Sequence, residues 1–440
     1  MQRDIRLQSV AMRAVHQPHL DGLRRSSRGA RNSRSIVLGQ AASLLGDYVA
    51  YLTLPLYVLS LNNSATELGF TAALETLPLL LFGLVAGALL DRYSIKPILI
   101  AADLVRAGVF IVLAMGTASG TVHLPLVLAS AFVVGTMSVF FDSGLQTLLP
   151  RAVPDSLLVG INSRIALSRT FAFTVGPALG GIIIATSGGF PLAFGVQAAT
   201  FLVSALSLLS VRTIYPRVKG ATEALLPSVL SGVKELLRLR PLVVATLAAS
   251  FANLVFAPLE TLLVVYVRDY APPTFAIPDA FTLLFKDQAA IGLFLGIQGL
   301  IGTLLLLAAS RLAARARIGH LFIGGLILMG AGFGGMLMMG NFFGFIPAGF
   351  SLAGVGTVNI AFVTSRQRLS PPEYLGRITA ASRTVAYATL PLGTIIGTAV
   401  AQRVGVQPVY KIGAVAVIIV GLALLPTTLG KLVFPRRSVG

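Results

Sequence analysis

In the stretch Gly83-Leu84-Val85-Ala86-Gly87-Ala88-Leu89-Leu90-Asp91-Arg92-Tyr93-Ser94-Ile95-Lys96, one apolar run stops, turns on charged residues and gives way to another. The flanking runs, 67–90 and 97–116, are each long enough to cross a bilayer as a helix, which takes about 20 mostly apolar residues. Asp91, Arg92 and Lys96 crowd the short connection, so it reads as a loop held at a membrane surface. Gly83 and Gly87 lie one turn apart and thin the face that a neighbouring helix can approach.

The pattern recurs along the chain. Apolar runs predict further helices over 36–60, 124–148, 163–186, 190–211, 241–267, 289–311, 320–340, 343–366, 378–401 and 408–430. Of 440 residues, 55% are hydrophobic and 11% charged, a balance that makes lipid the main solvent. Open sheet is excluded because unpaired backbone groups cannot face lipid. Runs such as 412–425 are continuously apolar and do not alternate as barrel strands do. The expected fold is an all-α membrane protein of about 12 transmembrane helices.

The net charge of +18 is not spread evenly. Arg151, Arg212, Arg217, Lys219, Lys234, Arg238, Arg240, Arg311, Arg315, Arg317, Arg366, Arg368, Arg377, Lys431, Arg436 and Arg437 join Arg92 and Lys96 on alternate connections. The other connections keep only Arg268, Lys286, Arg403 and Lys411. This is the positive-inside pattern, so the surplus marks orientation, with both termini cytoplasmic, and no nucleic-acid partner is expected. The longest inner connection separates six crossings from six. The domains expected are a basic, disordered tail (1–35), a first six-helix half (36–211), a linker with an amphipathic stretch (212–240), a second half (241–430) and a short tail (431–440). A weak repeat supports two halves: Ser168-Arg169 precedes Pro177 as Ser382-Arg383 precedes Pro391.

Absent chemistry narrows the function. There is no cysteine, and His16, His19, His123 and His320 fall in the tail or near helix ends, so neither a metal site nor a cofactor is expected. No G-x-x-x-x-G-K-[ST] run supplies an ATP cradle. No nucleophile, base and third group converge, so an enzyme is not expected.

The run from Gly87 to Lys96 resembles the cytoplasmic signature G-x-L-A-D-R-x-G-R-K of the major facilitator superfamily, with Ser94 and Ile95 departing from it. Gly176-Pro177-Ala178-Leu179-Gly180-Gly181 resembles the G-P-x-x-G-G signature of its exporters. Leu45-Gly46-Asp47-Tyr48, Asp103-Leu104-Val105-Arg106, Arg366-Gln367-Arg368 and Gly376-Arg377 are similar to the enterobactin-exporter and macrolide-efflux branch. The resemblance implies a twelve-helix major facilitator fold in two six-helix halves. It also implies export of small amphipathic molecules, usually driven by protons. Where drug antiporters of the superfamily often carry an arginine in the fourth helix, this chain has Ala131.

Ionisable residues inside lipid are costly and point to partners or wet cavities. Asp47 and Glu260, on corresponding helices of the two halves, are the leading candidates for a proton or cationic-substrate site, followed by Asp142 and Glu75. Asp103 and Arg106 are one turn apart and suit an ion pair. Together with Gly83, Gly87, Asp91, Arg92, Lys96, Arg377 and Arg383 they form the expected cytoplasmic gate, with Asp91 docking near Gly376. Gly176, Pro177, Gly180 and Gly181 make the bendable, close-packing site of the fifth helix. The expected function is export of a drug-like or siderophore-like solute by alternating access, with protons and membrane lipid as partners, by a monomer in a bacterial plasma (inner) membrane. The alternatives are an uptake permease or lysophospholipid flippase on the same fold, or a non-transporting receptor or assembly factor.

Overall fold

A computed structural model describes residues 2–187, 189–211, 225–273, 287–313, 318–371 and 374–427. Its helices are α1 (Gln2–Asn62), α2 (Ala65–Arg92), α3 (Ile95–Ala118), α4 (Leu124–Ala152), α5 (Asp155–Ser187), α6 (Phe190–Leu209), α7 (Leu225–Arg238), α8 (Arg240–Tyr270), α9 (Asp287–Ala313), α10 (Ile318–Met339), α11 (Phe345–Leu369), α12 (Leu375–Val404) and α13 (Val406–Ala423). Among the described residues, 12 helices are long and apolar enough to cross a membrane, and no strand occurs. The crossing part of α1 is Gly29–Asn62. Ahead of it, where a disordered tail is expected from the sequence, the backbone is helical from Gln2. Arg, Leu, Gln and Ala in that segment are all good helix formers, which outweighs its low apolar content.

Local chemistry sets the helix ends. Ser64 caps α2 by accepting from the Glu67 N–H at 3.3 Å. Prolines stand in the first turn of α4, α6 and α8, where no backbone donor is lost. Between α12 and α13 the backbone turns at Gly405 with φ of 87°, a conformation that favours glycine.

Helices α1 to α6 pack as one bundle, α1 against α5 and α6, α2 against α4, and α3 against α4 and α6. A second bundle forms from α8 to α13, with α8 against α12 and α13, α10 against α11 and α13, and α9 against α11. The short amphipathic α7 joins them and lies along α12, burying Leu236 with Leu242, Ile378 and Ala381. The halves meet mainly through α5 with α9 and α2 with α12.

Where they meet defines the shape. At the end of the bundle away from the basic connections, a single hydrophobic core runs through both halves, from Leu52, Phe110 and Phe194 to Leu262, Phe294 and Tyr410. At the basic end the core divides: Leu99, Phe141 and Leu148 belong to one cluster in the first half, and Phe322, Phe362 and Ala386 to another in the second. The core is thus continuous between the halves at one end and divided at the basic end.

Candidate functional site

The interior of the first half is organised around one guanidinium. Arg106 on α3 is 1% exposed and pairs with Asp103, one turn earlier and fully buried. It also reaches Asp47 on α1 at 3.5 Å. Ser138 Oγ and Ser43 Oγ accept at 3.4 and 3.5 Å, and the rings of Phe141 and Phe201 lie 4.6 and 4.4 Å from its charged carbon. A cation this deep is tolerated only when it is paired and hydrogen-bonded, and aromatic faces add attraction. Spacing alone predicts the Asp103 pair. The reach to Asp47 crosses from α3 to α1 and has no local signal in the sequence.

Asp47 differs from Asp103 in exposure, its side chain being 37% accessible. It lines a cavity of about 160 Å³ with Glu75, Ser130, Ala131 and Ser138. Glu75, on α2, is exposed. The wall contributed by α4 at Ala131 therefore carries no charge, and the cation of this site comes from α3. A more open, mostly apolar cavity of about 440 Å³ lies towards the basic end between α1 and α5, lined by Ala41, Ala42, Leu45, Leu167, Ser168 and Phe171.

The glycines of the fifth helix set how its neighbours approach. A Cβ on Gly176 would stand 2.6 Å from the Cβ of Tyr48, one residue from Asp47. Gly180 faces Val49 and Thr53 of the same α1. Gly181 instead faces the other half, where a Cβ would be 3.0 Å from the Ala289 Cα on α9, and Gly292 of α9 returns the contact to Pro177. The motif thus fixes α1 on α5 and closes α5 on α9. Tyr48 completes this corner with Phe173, ring centroids 5.3 Å apart.

Glu260 does not meet Asp47. The Tyr51 hydroxyl, one turn beyond Asp47, donates to Glu260 Oε1 on α8 at 2.5 Å and ties the two halves together. The other oxygen, Oε2, is buried without a partner. Nearby the Tyr410 hydroxyl donates to the Leu259 carbonyl. Towards the closed end, Gln402 Oε1 on α12 accepts from the Ala65 N–H of α2 at 2.7 Å. Tyr51 is the functional residue that sequence reading leaves out, since a tyrosine in an apolar run gives no sign of what it faces.

The other expected site residues divide. Asp142 is exposed on α4 and forms no ion pair among the described residues. Lys96 donates to the carbonyls of Leu209 and Val211 at 2.7 and 2.8 Å, tying α3 to the end of α6, where a cation suits the helix dipole. Arg377 reaches Ser231 on α7 at 3.4 Å, and Gly232 packs against its backbone. Arg383 is exposed beside the Tyr387 ring. Among the described residues, Gly83 meets only Leu79 of its own helix. The surroundings of Gly87, Asp91 and Arg92 lie outside the described residues. No cluster of metal-ligating side chains occurs among the described residues.

A family model described as Major Facilitator Superfamily matches residues 36–388. The chain belongs to the major facilitator superfamily. Its relatives in that superfamily include macrolide efflux protein A of Streptococcus pyogenes, 23% identical over 88% of this chain and 94% of that one. Another is the multidrug efflux pump Tap of Mycolicibacterium fortuitum, 26% identical over 86% and 91%. Among solved structures, a mutant of the nucleoside transporter NupG matches with a TM-score of 0.73 at 14% identity, over 90% of this chain and 99% of that one. A bacterial homologue of the iron transporter ferroportin in an inward-facing state matches with a TM-score of 0.67 at 15% identity, over 90% and 99%. This superfamily member is thus an integral membrane transporter, not an enzyme.

Proposed function

We propose that this transporter exports a small amphipathic solute by alternating access, exchanging it for protons, from the inner membrane of a bacterium with both chain termini in the cytoplasm. The observation that carries the reading is Asp47: a carboxylate exposed to an internal cavity on one side and held by the buried Arg106 on the other. Such a group is placed to exchange a proton with the cavity, and its protonation changes the charge balance of the bundle interior. With Asp47 neutral, Arg106 remains matched by Asp103, so the bundle loses an ion pair without leaving an orphan cation.

The rest follows from the packing. The apolar cavity beside Leu45, Leu167 and Phe171 suits the hydrophobic part of an amphipath. Opening the other end requires parting Tyr51 from Glu260, Gly181 from Ala289, and Ala65 from Gln402. The excess of basic residues at the end where the core divides supports a cytoplasmic assignment for it. The efflux activities named for two relatives support the outward direction. Lipid is the surrounding solvent, and the two halves of one chain enclose the site, which suits a monomer.

The test is transport into inside-out proteoliposomes with a panel of macrolides, lipophilic cations and lysophospholipids, with and without an imposed pH gradient. Accumulation that collapses when the gradient is dissipated supports the reading. Equal movement of lysophospholipid with no gradient makes the protein a flippase instead, and no movement of any of these solutes removes the reading as an exporter of amphipaths.

A further inference from the structure

The cavity that Asp47 faces holds more polar chemistry than proton exchange uses. Glu75 lines it from α2 and forms no ion pair among the described residues. Close packing fixes its position: a Cβ on Gly135 of α4 would stand 2.2 Å from the Glu75 carbonyl oxygen, so glycine alone lets the two backbones meet there. Ser130, Val134 and Ser138 follow at helical spacing on the α4 wall of the same cavity. Ser138 accepts from Arg106 at 3.4 Å. Ser130 is 6% exposed, and its hydroxyl has no hydrogen-bond partner among the described residues. Two other hydroxyls of α4, those of Thr136 and Thr147, donate to carbonyls of their own helix at 2.7 and 2.9 Å. That of Ser130 is left for whatever occupies the cavity.

Two carboxylates on one small cavity repel each other. Arg106 does not balance both: it pairs with Asp103 and Asp47, is buried, and forms no part of the cavity wall. Much of the remaining wall is apolar, with Ala50, Leu54, Leu113 and Val134. A bare metal ion needs a shell of oxygens that such a wall does not supply. An organic cation takes alkyl contacts from the wall and donates N–H to a carboxylate and a hydroxyl. We infer that Glu75 and Ser130 hold the protonated amine of the exported solute, beside Asp47, and that the substrate is a cationic amphipath. The cavity of about 160 Å³ admits a small alkylammonium head and not a whole drug-sized molecule, since a water takes roughly 30 Å³. The inference rests on the export reading for the ligand being cargo, and the amine site can be tested apart from it.

Equilibrium dialysis of the full-length protein in neutral maltoside micelles, against empty micelles, measures binding of two tritiated probes. One is a naphthylethyl dimethylamine, charged at neutral pH, and the other the naphthylacetic dimethylamide of the same size, which is neutral. The expected result is saturable binding of the amine, at least about tenfold tighter than of the amide. Glu75→Gln should erase that preference by weakening the amine and leaving the amide unchanged. Ser130→Ala should weaken the amine roughly two- to tenfold. Glu67→Gln, which removes a carboxylate two turns earlier on α2, should leave the preference intact. Equal binding of the two probes, or a preference that Glu75→Gln does not alter, overturns the inference. Displacement of the amine by sodium chloride and not by choline chloride at equal ionic strength makes the ligand an alkali ion and overturns it too. If Glu75→Gln does not fold, Ser130→Ala decides alone. The same probes in inside-out proteoliposomes keep the two readings apart. Equal gradient-driven accumulation of amine and amide removes the amine assignment and spares export, whereas a binding preference with accumulation of neither supports the site and removes export.

Discussion

At the scale of single residues, three carboxylates of the first half differ because their surroundings differ. Asp103 has no access to water and pairs with Arg106, whereas Asp47 shares the same guanidinium and opens to the cavity. Glu75 lines that cavity with no ion pair among the described residues. Asp47→Asn should therefore abolish the dependence of transport on a pH gradient while leaving the melting temperature within a few degrees. Transport at the original rate across the pH range would remove Asp47 from the coupling site. Arg106→Gln should behave oppositely and cost about 3 kcal/mol or more of stability, because it leaves Asp103 buried and unpaired. Thermal unfolding in detergent measures that directly. Tyr51→Phe deletes the hydroxyl on Glu260 and leaves both Glu260 oxygens unpartnered in the closed end, so it should raise the population open at that end by about fivefold. Reaction of a single introduced cysteine at Ala65 with an impermeant reagent reads this out; an unchanged rate would mean that the bond does not hold the halves together.

At the scale of helices, glycine placement decides which surfaces part and which stay joined. Gly176 and Gly180 hold α5 on α1 inside one half, and Gly181 with Gly292 holds α5 on α9 across the halves. A leucine at Gly181 overpacks only the cross-half contact, at a cost of about 1–3 kcal/mol to the state closed at that end. The population should shift roughly 5–150-fold towards opening there, while Gly176→Leu should destabilise the first half as a whole. Comparing the two variants by melting and by labelling separates the roles. The helices themselves are legible in the sequence, since hydropathy and length are sufficient in lipid. Short-range chemistry such as the Asp103 and Arg106 pair is legible too, because one helical turn dictates it. What the sequence does not reveal is the set of contacts between helices: Asp47 with Arg106, Tyr51 with Glu260, Lys96 with the end of α6, and Arg377 with α7. Those partners lie far apart in the chain, and nothing local to Tyr51 or Lys96 marks what they meet. The helical backbone ahead of Gly29 escapes for another reason: its charged composition reads as disorder although its residues individually favour helix.

At the scale of the whole molecule, the division of the core is the central observation. One apolar cluster binds the halves at one end, and separate clusters serve each half at the basic end; in the proposed cycle each half moves as a body. Such a body can rock about the middle of the membrane without dismantling its own core. The proposed orientation, drawn from the basic connections, predicts that a cysteine at Lys234 on α7 reacts only from the cytoplasmic side and one at Asn62 only from outside. Because the chain contains no cysteine, such variants need no prior substitution. The same advantage serves the most direct test of alternating access, in which spin labels at Ser163 on α5 and Gln367 on α11, both exposed at the basic end, report the distance between halves by pulsed electron resonance. The account predicts a long distance that gives way in part to a shorter one when a transported solute is added or when Asp47→Asn mimics protonation. One unchanging distance under all of these conditions would contradict it.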